Sequence, residues 1–282
     1  MLNAFRIAVL AAIVLVNWLI VALFFAMLGL GDAGAMGLAA SVCGGLIALA
    51  FTPAGERWFR FVNGLREPLP EERAALEPLL AEVAERAGLD RKPRLFVWPV
   101  PGANACAVGL ETVAATPDLL RCSDEVIKGV LAHEAGHLKN GDTKILAIAC
   151  VMNAVGSLAT WAITVVVAAI GAVQALAGSL SRHEGQAFFN VGMGIGLVLI
   201  AWWLRFVAWV LKQVLELSFR AVGRAQEYEA DAFAARCGYR EGLLAFLRMI
   251  EAERPPRAGL AAALYATHPA PRARIERLMR RA

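Results

Sequence analysis

His133-Glu134-Ala135-Gly136-His137 sets two imidazoles four residues apart with a carboxylate between them. On a helix, positions i and i+4 lie about 40° apart around the axis and one turn apart along it, so both histidines can bind one metal ion. Zinc suits two neutral imidazoles. Glu134, turned about 100° from His133, can stand beside that ion without ligating it and take a proton from activated water, generating a nucleophile for peptide hydrolysis. A catalytic zinc takes three protein ligands and keeps one position open, so a further donor is needed. The position ten residues after His133 is Thr143, which excludes the extended motif with a third histidine.

Only two other histidines exist among the chain's four, and His183 falls in a link on the wrong side of the membrane to serve. A better donor lies in Glu227-Tyr228-Glu229-Ala230-Asp231. Read as helix, this segment puts Glu227 and Asp231 on one face and turns Glu229 about 200° away. Ala230 and Ala234 keep that face close to whatever it meets. The pattern predicts Glu227 as the third ligand and Asp231 as a partner orienting a zinc-bound imidazole. The competing reading, a solvated acidic face beside Arg224 and Arg236, loses to the presence of HEAGH upstream. His268, in Thr267-His268-Pro269, reads either as a structural loop residue or as a group stabilising a developing oxyanion.

Lipid must position these residues. Of 282 residues, 59% are hydrophobic and 18% charged, which excludes an ordinary soluble domain. Four stretches without charge, at 7–30, 34–51, 145–180 and 185–204, are long enough to cross a bilayer as helices. The third exceeds one crossing, so its Gln174-to-Leu180 end is expected outside the hydrocarbon. Arg6, Arg57, Arg60 and Arg66 flank the first pair of spans, and Lys139, Lys144, Arg205, Lys212, Arg220 and Arg224 flank the second. The positive-inside rule therefore puts the polar parts in the cytoplasm. The 90 residues from His137 to Glu227 (227 − 137) contain two spans and so return the chain to its starting side.

The expected architecture is an α-helical membrane protein with a small α+β zincin-like metalloprotease domain and four transmembrane helices in two hairpins. Residues 1–52 form the first hairpin, 53–144 the first part of the cytoplasmic domain with HEAGH, 145–211 the second hairpin, and 212–282 the remainder with the glutamate ligand. Pro70 to Ala87 reads as a packing helix, with Leu76, Leu79, Leu80 and Val83 at helical spacing. Arg94 to Val100 and Cys106 to Ala115 read as short strands and turns punctuated by Pro101, Gly102 and Gly109. Ser123-Asp124-Glu125 opens the HEAGH helix, which stops near Asn140-Gly141. Five cysteines without CxxC imply no disulfide framework, and a net charge of +4 without an aromatic-interleaved basic cluster argues against nucleic acid.

The sequence resembles the HtpX-like membrane zinc metalloproteases, relatives of the CAAX prenyl endopeptidases. The likeness is carried by HEAGH followed by Asn140-Gly141-Asp142, by Glu227 to Asp231, by Thr267-His268-Pro269 before Arg274-Ile275, and by Asn104-Ala105. It implies one zinc per chain on His133, His137 and Glu227, Glu134 as base, and Asp231 and Asp142 supporting the site. It shifts His268 toward transition-state stabilisation with Arg274 in support. Asn104 and Ala105 correspond to a stretch that approaches substrate, and Thr112 to Ala115 are expected to pair with an extended peptide. Cys106, where relatives have phenylalanine, and Thr116-Pro117-Asp118, in place of a glycine turn after the edge strand, depart from the pattern. The implied role is cytoplasmic-side cleavage of misfolded membrane proteins in the bacterial inner membrane. Rivals are an intramembrane protease, a zinc transporter and a catalytically inactive scaffold. The first two conflict with the charges around HEAGH and with spans free of histidine and acid.

Overall fold

A computed structural model describes residues 2–253 and 269–280. Helices α1 (Leu2–Met27) and α2 (Asp32–Ala50) are followed by α3 (Pro53–Val62) and α4 (Pro70–Arg86). Three short strands come next: β1 (Arg94–Val97), β2 (Ala105–Val108) and β3 (Thr112–Ala115). After a 3-10 turn at Pro117–Arg121 come α5 (Asp124–Asn140), α6 (Asp142–Ser179), α7 (Glu184–Arg236), α8 (Arg240–Glu253) and α9 (Pro271–Arg280). Among the described residues four helices, α1, α2, α6 and α7, are long and apolar enough to cross a membrane. At 1.5 Å per residue, the 38 residues of α6 and 53 of α7 reach about 57 and 80 Å, well beyond one bilayer. The Gln174 end of α6 keeps its helical form through Ser179.

The chain divides into two compact units. One comprises residues 6–47 and 149–218, the other residues 1–5, 48–148 and 219–282. In the second, a single apolar core joins segments from both sides of the α6–α7 excursion: Leu80 and Val83 of α4, Val113 of β3, Leu131 of α5, Leu247 of α8 and Leu278 of α9. The periodicity of α4 is realised, with Leu76, Leu80 and Val83 on the buried face.

The sheet corrects one expectation. Its order is β1-β3-β2, with β1 parallel and β2 antiparallel to β3. Thr112 to Ala115 therefore lie in the middle, each paired on both sides, and offer no edge to a peptide. The edge next to the HEAGH helix is β2, which begins at Ala105. Thr116-Pro117-Asp118, unlike the glycine turn expected there, clamps the approach to β2: Thr116 Oγ1 accepts from Asn104 N at 2.8 Å and Asp118 Oδ2 from Gly102 N at 2.8 Å.

Glycine lets α5 and α8 touch backbone to backbone. A Cβ on Gly129 would lie 2.3 Å from Leu243 N, and one on Gly242 would lie 1.9 Å from Glu125 O. The contact fixes the helix that carries both histidines against the core. Gly242→Ala is expected to lower stability by about 1–3 kcal/mol through overpacking. Gly223→Ala, whose Cβ would meet nothing within 4 Å, should be neutral or stabilising. Thermal unfolding of both variants in detergent checks the contrast; equal midpoints would contradict it.

Candidate metal centre

Helix α5 is buried along most of its length, from Ile127 to Gly136, which takes His133 and Glu134 out of solvent. It ends at Gly141, whose left-handed backbone (φ 72) closes the helix and lets α6 begin at Asp142. That turn delivers Asp142 Oδ2 to 2.8 Å from His137 Nδ1. Asp231 Oδ1 lies 2.9 Å from His133 Nδ1. In its neutral form each imidazole thus donates Nδ1–H to a carboxylate and leaves Nε2 for a metal, the tautomer a ligand needs.

Both Nε2 atoms turn toward Glu227. His133 Nε2 is 3.5 Å from Glu227 Oε2, and His137 Nε2 is 3.5 Å from Glu227 Oε1. One ligand atom from each of the three residues falls within 4.8 Å of the others. A tetrahedral ion with bonds of about 2.1 Å has ligand–ligand edges of about 3.4 Å. The His–Glu spacings match that edge, and the two-imidazole, one-carboxylate donor set is one that zinc takes, so the residues fit the ion. Close approach of α5 and α7 makes this possible: a Cβ on Gly136 would sit 3.1 Å from Ala230 Cα. The small residues at both positions are what the site geometry requires.

Charge is balanced by Arg274 of α9. Its Nε and Nη2 meet Asp231 Oδ2 and Oδ1 at 2.9 and 2.6 Å, a two-pronged pairing, and its Nη1 lies 3.2 Å from Glu227 Oε2. The same guanidinium is 3.3 Å from His133 Nδ1. Since that nitrogen donates to Asp231, the contact is packing against the ring rather than a hydrogen bond. Arg274 therefore braces the acids behind and beside His133. Gln226 adds a brace on the other side, donating from Nε2 to Asp142 Oδ1 at 2.9 Å. Sequence reading had no signal for Gln226 beyond its place next to Glu227.

Asn104 and Ala105 lie at the start of edge strand β2, with Asn104 exposed and Ala105 buried. Cys106 follows, and its thiol is pushed up to about 12 by burial and then by the Glu134 carboxylate. Edge strand and proposed base are therefore electrostatic neighbours. His268 lies outside the described residues.

A sequence profile described as Peptidase family M48 matches residues 70–282. A curated relative named Protease HtpX homolog, from Aquifex aeolicus, is 30% identical over 278 residues, covering 87% of this chain and 85% of the relative. Another of the same name, from Dictyoglomus thermophilum, is 31% identical over 244 residues, covering 77% and 72%. The crystal structure of S. mikatae Ste24p superposes with a TM-score of 0.54 at 17% identity. That likeness covers 93% of this chain but spans only 62% of the Ste24p chain, and it describes the fold.

Burial opposes charge on His137, yet the carboxylates of Asp142, Glu227 and Glu134 raise its pKa to about 10. A ligand imidazole must be neutral, so below that value metal binding displaces a proton. Apparent affinity should then rise with pH, about tenfold per unit for each proton displaced. Titration calorimetry with zinc near neutral pH, in buffers of different ionisation enthalpy, should register release of at least one proton; none released would contradict the geometry. Asp142→Asn should weaken binding about 10- to 100-fold.

Proposed function

The chain belongs to peptidase family M48, and from that membership we propose that it is a zinc-dependent endopeptidase of the membrane. The observation that carries this reading is the convergence of one ring nitrogen each from His133 and His137 and a carboxylate oxygen of Glu227 within 4.8 Å. His133, His137 and Glu227 hold the ion. When bound, zinc supplies Lewis acidity that lowers the pKa of water and polarises the scissile carbonyl. Glu134 accepts a proton from the attacking water and passes it to the leaving nitrogen as the C–N bond breaks. Asp231 and Asp142 hold the two imidazoles in the required tautomer, and Arg274 holds Asp231. His268 stabilises the developing oxyanion, a role that rests on the family resemblance.

Substrate is an extended polypeptide paired to β2. Asn104 O accepts from Thr116 N at 2.9 Å, so in antiparallel alternation Cys106 and Val108 also bond to β3. Ala105 and Ala107 then turn their backbone groups outward. Ala105 N–H is taken by Asn104 Oδ1 at 2.9 Å, leaving Ala105 C=O and both Ala107 groups for a peptide. The basic flanks support a cytoplasmic active site in the bacterial inner membrane, and the four spans support misfolded membrane proteins as substrates, in quality control.

Glu134→Gln should keep about one zinc per chain and lose cleavage of an unfolded substrate by about 10²-fold or more. Equal activity in wild type and variant would overturn the enzyme reading. Ala107→Pro removes one outward N–H while sparing the bonds to β3, and should raise KM several-fold with zinc content unchanged. An unaltered KM would remove β2 as the substrate edge.

A further inference from the structure

The membrane unit holds a cavity of about 270 Å³ lined by α1, α6 and α7. Val16, Ile20, Leu211 and Leu215 give it apolar walls, but Asn17, Asn153, Thr160, Arg205 and Lys212 also line it. Asn17, only 6% exposed, donates from Nδ2 to Ile13 O at 2.8 Å and to Asn153 Oδ1 at 3.2 Å. That bond leaves the Asn153 amide N–H groups as donors. Thr160 donates its hydroxyl to Gly156 O at 2.8 Å and keeps its oxygen as an acceptor.

Arg205 and Lys212 stand seven residues apart, and so on one face of α7. Neither makes an ion pair with a described residue. A Cβ on Gly194 would meet Gly171 O at 2.4 Å and Ala175 N at 2.6 Å, so α6 and α7 touch there. The chain runs antiparallel through them, and equal rise from this contact puts Arg205 about level with Thr160 and Lys212 about level with Asn153. Trp161, Trp202, Trp203 and Trp209 lie within about 10 Å of one another along the helix axes by the same rise and are 56, 70, 64 and 55% exposed. Tryptophans gather at the lipid–water interface, where headgroups lie. Cations beside apolar surface at that depth are costly unless an anion or water meets them.

We propose that this cavity is a binding site for an anionic phospholipid, with its phosphate on Arg205 and Lys212. Asn153 and Thr160 serve the polar oxygens of the headgroup and glycerol, and the apolar walls, Val16, Ile20 and Leu215 among them, take the acyl chains. The apolar walls select a lipid over a soluble anion. Basic pockets between membrane helices take lipid headgroups by the same electrostatics. The site is independent of the metal centre.

The test uses the full chain purified in detergent, exchanged with equal phosphatidylglycerol and phosphatidylcholine, and the retained lipid quantified by mass spectrometry. Phosphatidylglycerol should be retained over phosphatidylcholine by about tenfold or more, the scale expected of two cations near an anionic headgroup. Arg205→Gln with Lys212→Gln should abolish the preference with zinc content unchanged. The charge-preserving Arg205→Lys with Lys212→Arg should keep it, which separates lost charge from a damaged fold. No preference in wild type, or the same preference in the double glutamine variant, overturns the proposal. So does displacement of the lipid by inorganic phosphate, which would make this a soluble-anion site, or by a transmembrane peptide carrying an acidic residue, which would make it a polypeptide site.

Discussion

A carboxylate behind each imidazole is the interaction on which the metal centre depends. Asp231 meets Nδ1 of His133 at 2.9 Å and Asp142 meets Nδ1 of His137 at 2.8 Å. Without them either ring could flip or take the other tautomer, and the two Nε2 lone pairs would no longer converge on Glu227. The partners come from opposite ends of the membrane excursion: Asp142 opens α6, and Asp231 lies near the end of α7. The excursion can be long because helix ends, not loops, deliver the acids.

Grouping so many acids in a buried space needs compensation. Glu134, Glu227, Asp231 and Asp142 are all buried, and like charges gathered in a low dielectric repel strongly. Arg274 supplies a fixed cation among them, and a divalent ion on the histidines and Glu227 would supply more. That explains why α9, a short helix rich in arginine, is tied to the core through Ile275 and Leu278 while presenting Arg274 inward. Its pairing with Asp231 in turn fixes the acid that fixes His133.

Local pattern carried much of this. The i, i+4 spacing put His133 and His137 on one face, the Glu227–Asp231 pair shared another, and charge-free runs marked the four long helices. What local pattern did not carry was pairing between distant segments. Thr112 to Ala115 read as a strand with an edge to offer, yet β1 occupies its far side, and nothing within four residues announces that partner. The resemblance places Arg274 in support of His268, which lies outside the described residues; its pairing with Asp231, 43 residues away, follows from the burial of α9 and has no local signal. Nothing in the local sequence marks Gly129 and Gly242, and only the meeting of α5 with α8 gives them their reason.

The most direct measurement of the central claim is zinc X-ray absorption on the purified, metal-loaded chain. The coordination account predicts two imidazole nitrogens at about 2.0–2.1 Å and a carboxylate oxygen at about 2.0–2.2 Å, with the oxygen contribution altered in Glu227→Gln. A sulfur scatterer at about 2.3 Å, which would bring Cys106 into the shell, or a shell indifferent to Glu227→Gln, would contradict it.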